Sequence, residues 1–282
     1  MNYREEYIKS GKGEIALSIW DTGNDYPCII FLPATMSYPA FWDDFLTRLS
    51  ECEINVIGIH FVGHGKSERK TRKYSFSDML QNVYDVITFT EKNFNSRIGV
   101  LGTSQGGILA VAAAGEDKRI KAVFSHNVML PQLKESICIT TFPKWSYHIM
   151  NGLMSIGAKL IPMLQLPIQF YLDLDKVFLS DEWKEKFFND QLNLKKYSIY
   201  FLNSLFKADL NKVTDGSIEC PVVIFASKGD RLFTSEYTQT VFELIKSKRK
   251  EIVLFDVNTH LIFNESLNTV FQPVVQKIKD LM

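Results

Sequence analysis

Ser104 stands two residues from Gly102 and two from Gly106 in the run Arg97-Ile98-Gly99-Val100-Leu101-Gly102-Thr103-Ser104-Gln105-Gly106-Gly107-Ile108-Leu109-Ala110-Val111. An apolar stretch leads in and an Ala-rich stretch leads out, so the spacing predicts a sharp strand-to-helix turn with the serine at its tip. Without a Cβ at the flanking glycines, strand and helix can approach closely enough to strain the turn and lift the hydroxyl clear of the chain. Such a hydroxyl is a candidate nucleophile. At neutral pH it needs an imidazole to take its proton and a carboxylate to fix that imidazole's tautomer.

Of the five histidines, His260 is the preferred base, because it follows the last predicted strand on a loop at the sheet edge where Ser104 also emerges. His126 follows the strand after the serine and competes for the same edge; His148 lies in a later apolar region, and His60 and His64 share an earlier loop. For the acid, Asp230 comes just after the apolar run Val222 to Ala226. Asp256 competes by its nearness to His260, yet it ends a strand directly, as an exposed turn residue would. Asn127 occupies another acid position and cannot carry the charge. An oxyanion forming beside Ser104 needs backbone N–H donors. One is Gln105, at the start of a helix whose dipole points its positive end there. The second comes from the loop Leu32 to Tyr38, where Pro33 has no N–H and Ala34 would have to turn away, so Thr35 is favoured and Met36 is second choice.

Buried strands must carry these residues to one edge. Short apolar runs at Cys28 to Leu32, Ile54 to Ile59, Ile98 to Leu101, Ala122 to Phe124, Val222 to Ala226 and Ile252 to Phe255 read as such strands in a mostly parallel sheet. Glu14 to Trp20 alternates instead, as a half-exposed antiparallel edge strand does. Met79, Leu80, Val83, Val86, Ile87 and Thr90 fall at helical spacing behind Ser77 as a cap, and Val270 to Leu281 has the same character. The expected architecture is a three-layer, doubly wound α/β sandwich with a core formed by residues 1–130 and 211–282. Residues 131–210 break the rhythm: they hold no clear strand and many large apolar side chains. Lys159, Pro162 and Pro167 interrupt them too often for a membrane span, so a helical cap insertion is expected. Part of that apolar surface packs on the core, and the remainder lines an acyl pocket or touches a membrane surface.

Over 282 residues, 46% hydrophobic content is ample for a buried core, and equal totals of 32 basic and 32 acidic residues leave no net field to attract nucleic acid. The basic runs Lys66 to Lys73 and Lys246 to Lys250 read as solvated loop charge. The charged start Met1-Asn2-Tyr3-Arg4-Glu5-Glu6 lacks the apolar stretch of a secretory signal, which makes a cytoplasmic protein the expectation. Cys28, Cys52, Cys138 and Cys220 are far apart with no C-x-x-C pair, so all four are expected reduced and mostly buried.

The serine turn, the loop His60-Phe61-Val62-Gly63-His64-Gly65-Lys66-Ser67, Asp230 and His260 together resemble the α/β-hydrolase superfamily, specifically its cap-bearing monoglyceride lipase-like and lysophospholipase-like serine hydrolases. The resemblance implies the chain order Ser, Asp, His and an acyl-enzyme route for carboxylic esters, with no metal or organic cofactor. It also implies a small-molecule acyl ester as partner, such as a monoacylglycerol or lysophospholipid. The same triad serves acyltransferases, thioesterases, peptidases and carbon-carbon hydrolases, and a ligand receptor without turnover is a rival of another class. The chain departs from the family at Pro33-Ala34, where His-Gly is usual, and at His60, where Asp is usual. The second change reads as one of structural hydrogen bonding rather than a new catalytic histidine.

Overall fold

Apolar strands buried on both faces must be covered by helices on both sides, and the chain does this with an eight-stranded sheet in a computed structural model describing residues 1–11, 13–68 and 73–282. Residues 69–72 of the basic run beginning at Lys66 lie outside the described residues. The sheet strands are β1 (Asn2–Ser10), β2 (Gly13–Asp21), β3 (Cys28–Leu32), β4 (Asn55–Ile59), β5 (Ile98–Thr103), β6 (Ile120–His126), β9 (Val222–Ser227) and β10 (Lys250–Phe255). Their spatial order is β1-β2-β4-β3-β5-β6-β9-β10, with β4 through β10 parallel and β1 and β2 antiparallel to their neighbours. This is the α/β-hydrolase fold. On one face lie helices α2 (Phe76–Asn93) and α3 (Gln105–Glu116). Helix α1 (Asp43–Ser50) packs with the C-terminal helix Leu267–Leu281.

Three local expectations change. β2 is antiparallel, but β1 covers its outer side, so β1 is the edge strand and β2 is buried along most of its length. Helix α2 is capped by Ser75 rather than Ser77. The Ser75 hydroxyl accepts from the Asp78 N–H at 3.2 Å while the Asp78 carboxylate accepts from the Ser75 N–H at 2.8 Å. That reciprocal box needs its acid three residues on, which only Ser75 has. Of the four free cysteines only Cys28 is fully buried.

Between β6 and β9 the chain leaves the sheet for helices and a small antiparallel pair, β7 (Gln165–Pro167) with β8 (Lys196–Ser198), a pairing the sequence does not announce. The helix Ile199–Phe206 packs on both α2 and α4 (Tyr147–Leu160). No residue of α4 is fully buried. Among the described residues, no helix is long and apolar enough to cross a membrane.

Candidate active site

Parallel strands deliver the loops that follow them to one edge of the sheet. Thr35 follows β3, Ser104 follows β5, Asn127 follows β6, Asp230 follows β9 and His260 follows β10. Side chains up to 225 residues apart in the chain are thereby collected at one place.

Ser104 sits between β5 and α3 with φ 52° and ψ −111°, outside the comfortable regions for an L-residue. Strain of this kind costs about 1–3 kcal/mol and persists only where the surroundings enforce it. Here they do. A Cβ on Gly102 would meet the backbone of Gly106, and one on Gly106 would meet the carbonyls of Leu32 and Pro33. Gly107, which the pairing of Gly102 with Gly106 does not include, is equally constrained, because its Cβ would meet the Asn127 carbonyl and the Ser125 hydroxyl. The Ser104 N–H donates to the His126 carbonyl at 2.8 Å, tying the turn to β6.

Asp230 and His260 are both buried, and His260 Nδ1 lies 2.8 Å from Asp230 Oδ2. A carboxylate can only accept, so the proton is on Nδ1 and Nε2 is left free to accept another. Asp230 Oδ1 accepts from the N–H groups of Leu232 at 2.8 Å and Phe233 at 2.9 Å, and Oδ2 also accepts from Asn127 Nδ2 at 3.0 Å. Burial works to raise the Asp230 pKa, but His260 and the Phe233 N–H outweigh it and hold the carboxyl below its usual range. The Phe233 ring stacks on the His260 imidazole at 5.3 Å.

His126 has no capacity left to act as the base. Asn127 Nδ2 lies 3.1 Å from His126 Nε2, and His126 Nδ1 lies 3.1 Å from the Thr103 hydroxyl. Burial pushes its pKa down to about 3, so it is a neutral neighbour 5.4 Å from the His260 ring. Asn127, at φ 62°, is a donor to the acid rather than an alternative acid. His126, Asp230 and His260 offer ligand atoms within 4.8 Å of one another, but these atoms already hold the hydrogen bonds just described. His60 is likewise structural: its Nδ1 accepts from the Lys66 N–H at 3.1 Å, its Nε2 faces the Ser18 hydroxyl at 3.0 Å, and burial pushes its pKa down to about 4. His148 is exposed on α4, and the Asp256 side chain is 90% exposed, 3.7 Å from Lys228 Nζ, as a turn residue is.

Thr35, Ser104, Gln105 and His260 line one cavity of about 100 Å³. Met36, the second-choice oxyanion donor, does not qualify, because its N–H already donates to the Tyr197 hydroxyl at 2.8 Å. Apart from the hydroxyl residues Ser37 and Thr140, the rest of the lining is aromatic or otherwise apolar, including Phe41, Trp42, Phe178 and Phe187, and contains no Asp, Glu, Lys or Arg. A second apolar chamber of about 410 Å³ lies between α4 and its neighbours; Thr140, Tyr171, Leu202 and Phe206 belong to both walls. Sequence reasoning misses Asn127 as a donor, Phe233 as a stacking partner and Tyr197 altogether. Only the Leu232-Phe233 pair, two and three residues after Asp230 where an aspartate closes a turn on following N–H groups, leaves a local signal.

Among known proteins, a family model described as Hydrolase_4, serine aminopeptidase, S33, matches residues 28–267. The chain is 22% identical over 215 residues to an uncharacterised 31.7 kDa protein of the traX-finO intergenic region of Escherichia coli, covering 74% of this chain and 73% of that one. Its structure is similar to a monoacylglycerol lipase of Paleococcus ferrophilus, with TM-score 0.78, 18% identity, and 95% and 99% of the two chains covered. It is also similar to a soluble variant of the monoglyceride lipase of Saccharomyces cerevisiae in complex with a substrate analogue, with TM-score 0.76, 16% identity, and 98% and 95% covered. At such identities these likenesses are of fold.

Proposed function

Because the chain belongs to the Hydrolase_4, serine aminopeptidase S33 family of α/β-hydrolases, we propose that it hydrolyses neutral carboxylic esters of apolar acyl chains through Ser104, His260 and Asp230. What carries the proposal is the buried Asp230–His260 pair opening onto the same uncharged cavity as the strained Ser104. In the first half-reaction Ser104 Oγ attacks the ester carbonyl carbon and its proton passes to His260 Nε2. The Thr35 and Gln105 N–H groups hold the negative oxygen that forms. The intermediate collapses as the carbon–oxygen bond to the alcohol breaks and His260 protonates the departing alkoxide. Water then repeats the sequence against the acyl-enzyme, giving the carboxylic acid and free Ser104. Asp230 keeps its charge throughout and stabilises the imidazolium.

The cavity favours an ester over the peptide that the family's name suggests. An aminopeptidase must hold a terminal ammonium, and a buried unpaired ammonium costs several kcal/mol. No acid lines either chamber. A phosphate headgroup meets the same obstacle, so a neutral acylglycerol fits better than a lysophospholipid. Residues 131–210 serve as a cap over the core of residues 1–130 and 211–282, and the larger chamber takes the acyl chain. Trp145, Ile149, Leu153, Ile156 and Leu160 form an exposed apolar row at helical spacing on the outer face, each more than half exposed, which suits contact with a lipid surface.

A fluorophosphonate probe tests the assignment. Wild type should be labelled and should hydrolyse p-nitrophenyl esters with a sharp optimum in acyl length; Ser104→Ala should do neither, with its melting temperature unchanged. Wild type that binds short acyl compounds but shows neither labelling nor turnover would instead be a receptor.

A further inference from the structure

The loop carrying Thr35 is held by the insertion rather than by its own strand. Met36 has φ 63°, a left-handed conformation in which a residue with a Cβ needs support. Both of its backbone groups are taken by one segment of the insertion: the N–H donates to the Tyr197 hydroxyl at 2.8 Å, and the carbonyl accepts from the Leu194 N–H at 2.7 Å. Two residues on, the Tyr38 hydroxyl donates to Asp190 Oδ2 at 2.7 Å.

The Tyr197 hydroxyl is itself fixed. His64 Nδ1 donates to the Val62 carbonyl at 2.9 Å, which can only accept, so in the neutral imidazole Nε2 is the acceptor and takes the Tyr197 hydroxyl at 2.8 Å. That leaves the Tyr197 oxygen lone pairs for the Met36 N–H and the Gln105 side chain. The ring is buried against Phe201 at 4.4 Å, and the side chain also lines the cavity beside Ser104.

The hold on Met36 reaches Thr35 through two peptide planes. The Ala34 carbonyl accepts from the Ser37 N–H at 3.2 Å and from the Ser37 hydroxyl at 2.6 Å. In a trans peptide the N–H points opposite to the C=O, so fixing the Ala34 carbonyl fixes the direction of the Thr35 N–H. Ser37 stays in place because Met36, between them, is clamped on both sides.

We propose that Tyr197 is a positioning residue for the oxyanion hole: its hydroxyl, with the Leu194 N–H, locks Met36 and so keeps the Thr35 N–H directed at the reacting carbonyl. This rests on the hydrolase reading given above. The clamp also makes the insertion part of the catalytic apparatus, since the oxyanion loop is fixed only while residues 194–197 are docked on it.

Tyr197→Phe keeps the ring and its packing and removes only the hydroxyl. Loss of a whole oxyanion donor costs about 100- to 1000-fold in kcat, and a misdirected donor should forfeit roughly 10-fold or more. The expected result is that fall in kcat on a p-nitrophenyl ester, with KM changed less than about twofold. Affinity for a trifluoromethyl ketone, whose hemiketal carries the same oxyanion, should drop by the same factor, while affinity for the product acid stays. Hydrogen exchange at the Met36 amide should accelerate in the variant. Tyr197→Phe with kcat and ketone affinity within twofold of wild type would overturn the proposal, as would parallel losses in ketone and product binding. Should wild type hydrolyse no ester at all, the hydrolase reading fails on its own terms, and an unchanged Met36 exchange rate would separately overturn the clamp.

Discussion

Helices α3 and α4 are both rich in apolar residues and meet opposite fates. Every residue of α3 from Gln105 to Gly115 is buried, whereas no residue of α4 is. The difference lies in side-chain size. α3 is built of Gly and Ala with a few larger residues, which lets its axis approach β3, β5 and β6 until backbone atoms nearly touch at Gly106 and Gly107. α4 leaves Ile149, Leu153, Ile156 and Leu160 exposed along one stripe, while Met150, Leu153 and Met154 border the larger chamber. Apolar content therefore does not tell whether a helix is buried. Small residues mark the helix that must come close to the sheet, and large ones at three- and four-residue spacing mark a face that needs a partner, here proposed to be lipid.

Substitution in the two helices should separate them widely. Gly107→Val puts a branched side chain against the Asn127 carbonyl and Ser125. Changes of this kind reach about 4–5 kcal/mol, so the variant should be insoluble or melt more than about 10 °C below wild type by scanning calorimetry. A normal melt would mean that α3 has room the packing denies.

Acid should affect the core next. His60 and His126 are neutral in the fold, their pKa values pushed by burial down to about 4 and about 3, while the unfolded chain titrates near 6.5. Between those values the unfolded state binds more protons, so stability is complete above about pH 6.5 and falls as the pH drops toward 4. Each histidine contributes up to about 1.4 kcal/mol per pH unit. Asp230, held low, adds its own loss only at lower pH, where its carboxylate protonates. Melting temperatures measured from pH 7.5 to 4.5 should fall on acidification, and less steeply in His60→Gln. An identical slope in that variant would place the acid sensitivity elsewhere.

The smallest change in stability belongs to α4. Ile156→Glu with Leu160→Glu removes no buried contact, so the melting temperature should move by no more than about 2 °C, in keeping with surface substitutions worth about 0.5 kcal/mol each. Flotation with phosphatidylcholine vesicles should nevertheless be lost, while turnover of a short soluble ester is kept. Equal flotation of wild type and variant would leave the exposed row without a lipid role.

The legible features follow the same divide. The strands of the sheet are visible because residues buried on both faces leave continuous apolar runs, and Ser104, Asp230 and His260 are visible because each directly follows such a run or the turn after it. The order β1 before β2 is hidden, because Tyr3 and Tyr7 stay exposed on β1 and give no inward pattern stronger than that of β2. The short β7–β8 pair is hidden as well, since three-residue strands carry too little alternation to register. Tyr197 is 161 residues from Met36 in the chain and is linked to it only by the packing of the insertion. Asn127 looks like a failed acid in one dimension and becomes a donor to Asp230 only when β6 and β9 lie side by side.

During turnover an acyl group should reside on Ser104. Wild type mixed with a p-nitrophenyl ester, quenched in acid and digested with trypsin, should yield the peptide Ile98–Lys118 heavier by one acyl group, with fragmentation assigning the added mass to Ser104. The adduct should be absent in Ser104→Ala. Ester turnover with an unmodified peptide, or with the acyl group on another residue, would contradict the account.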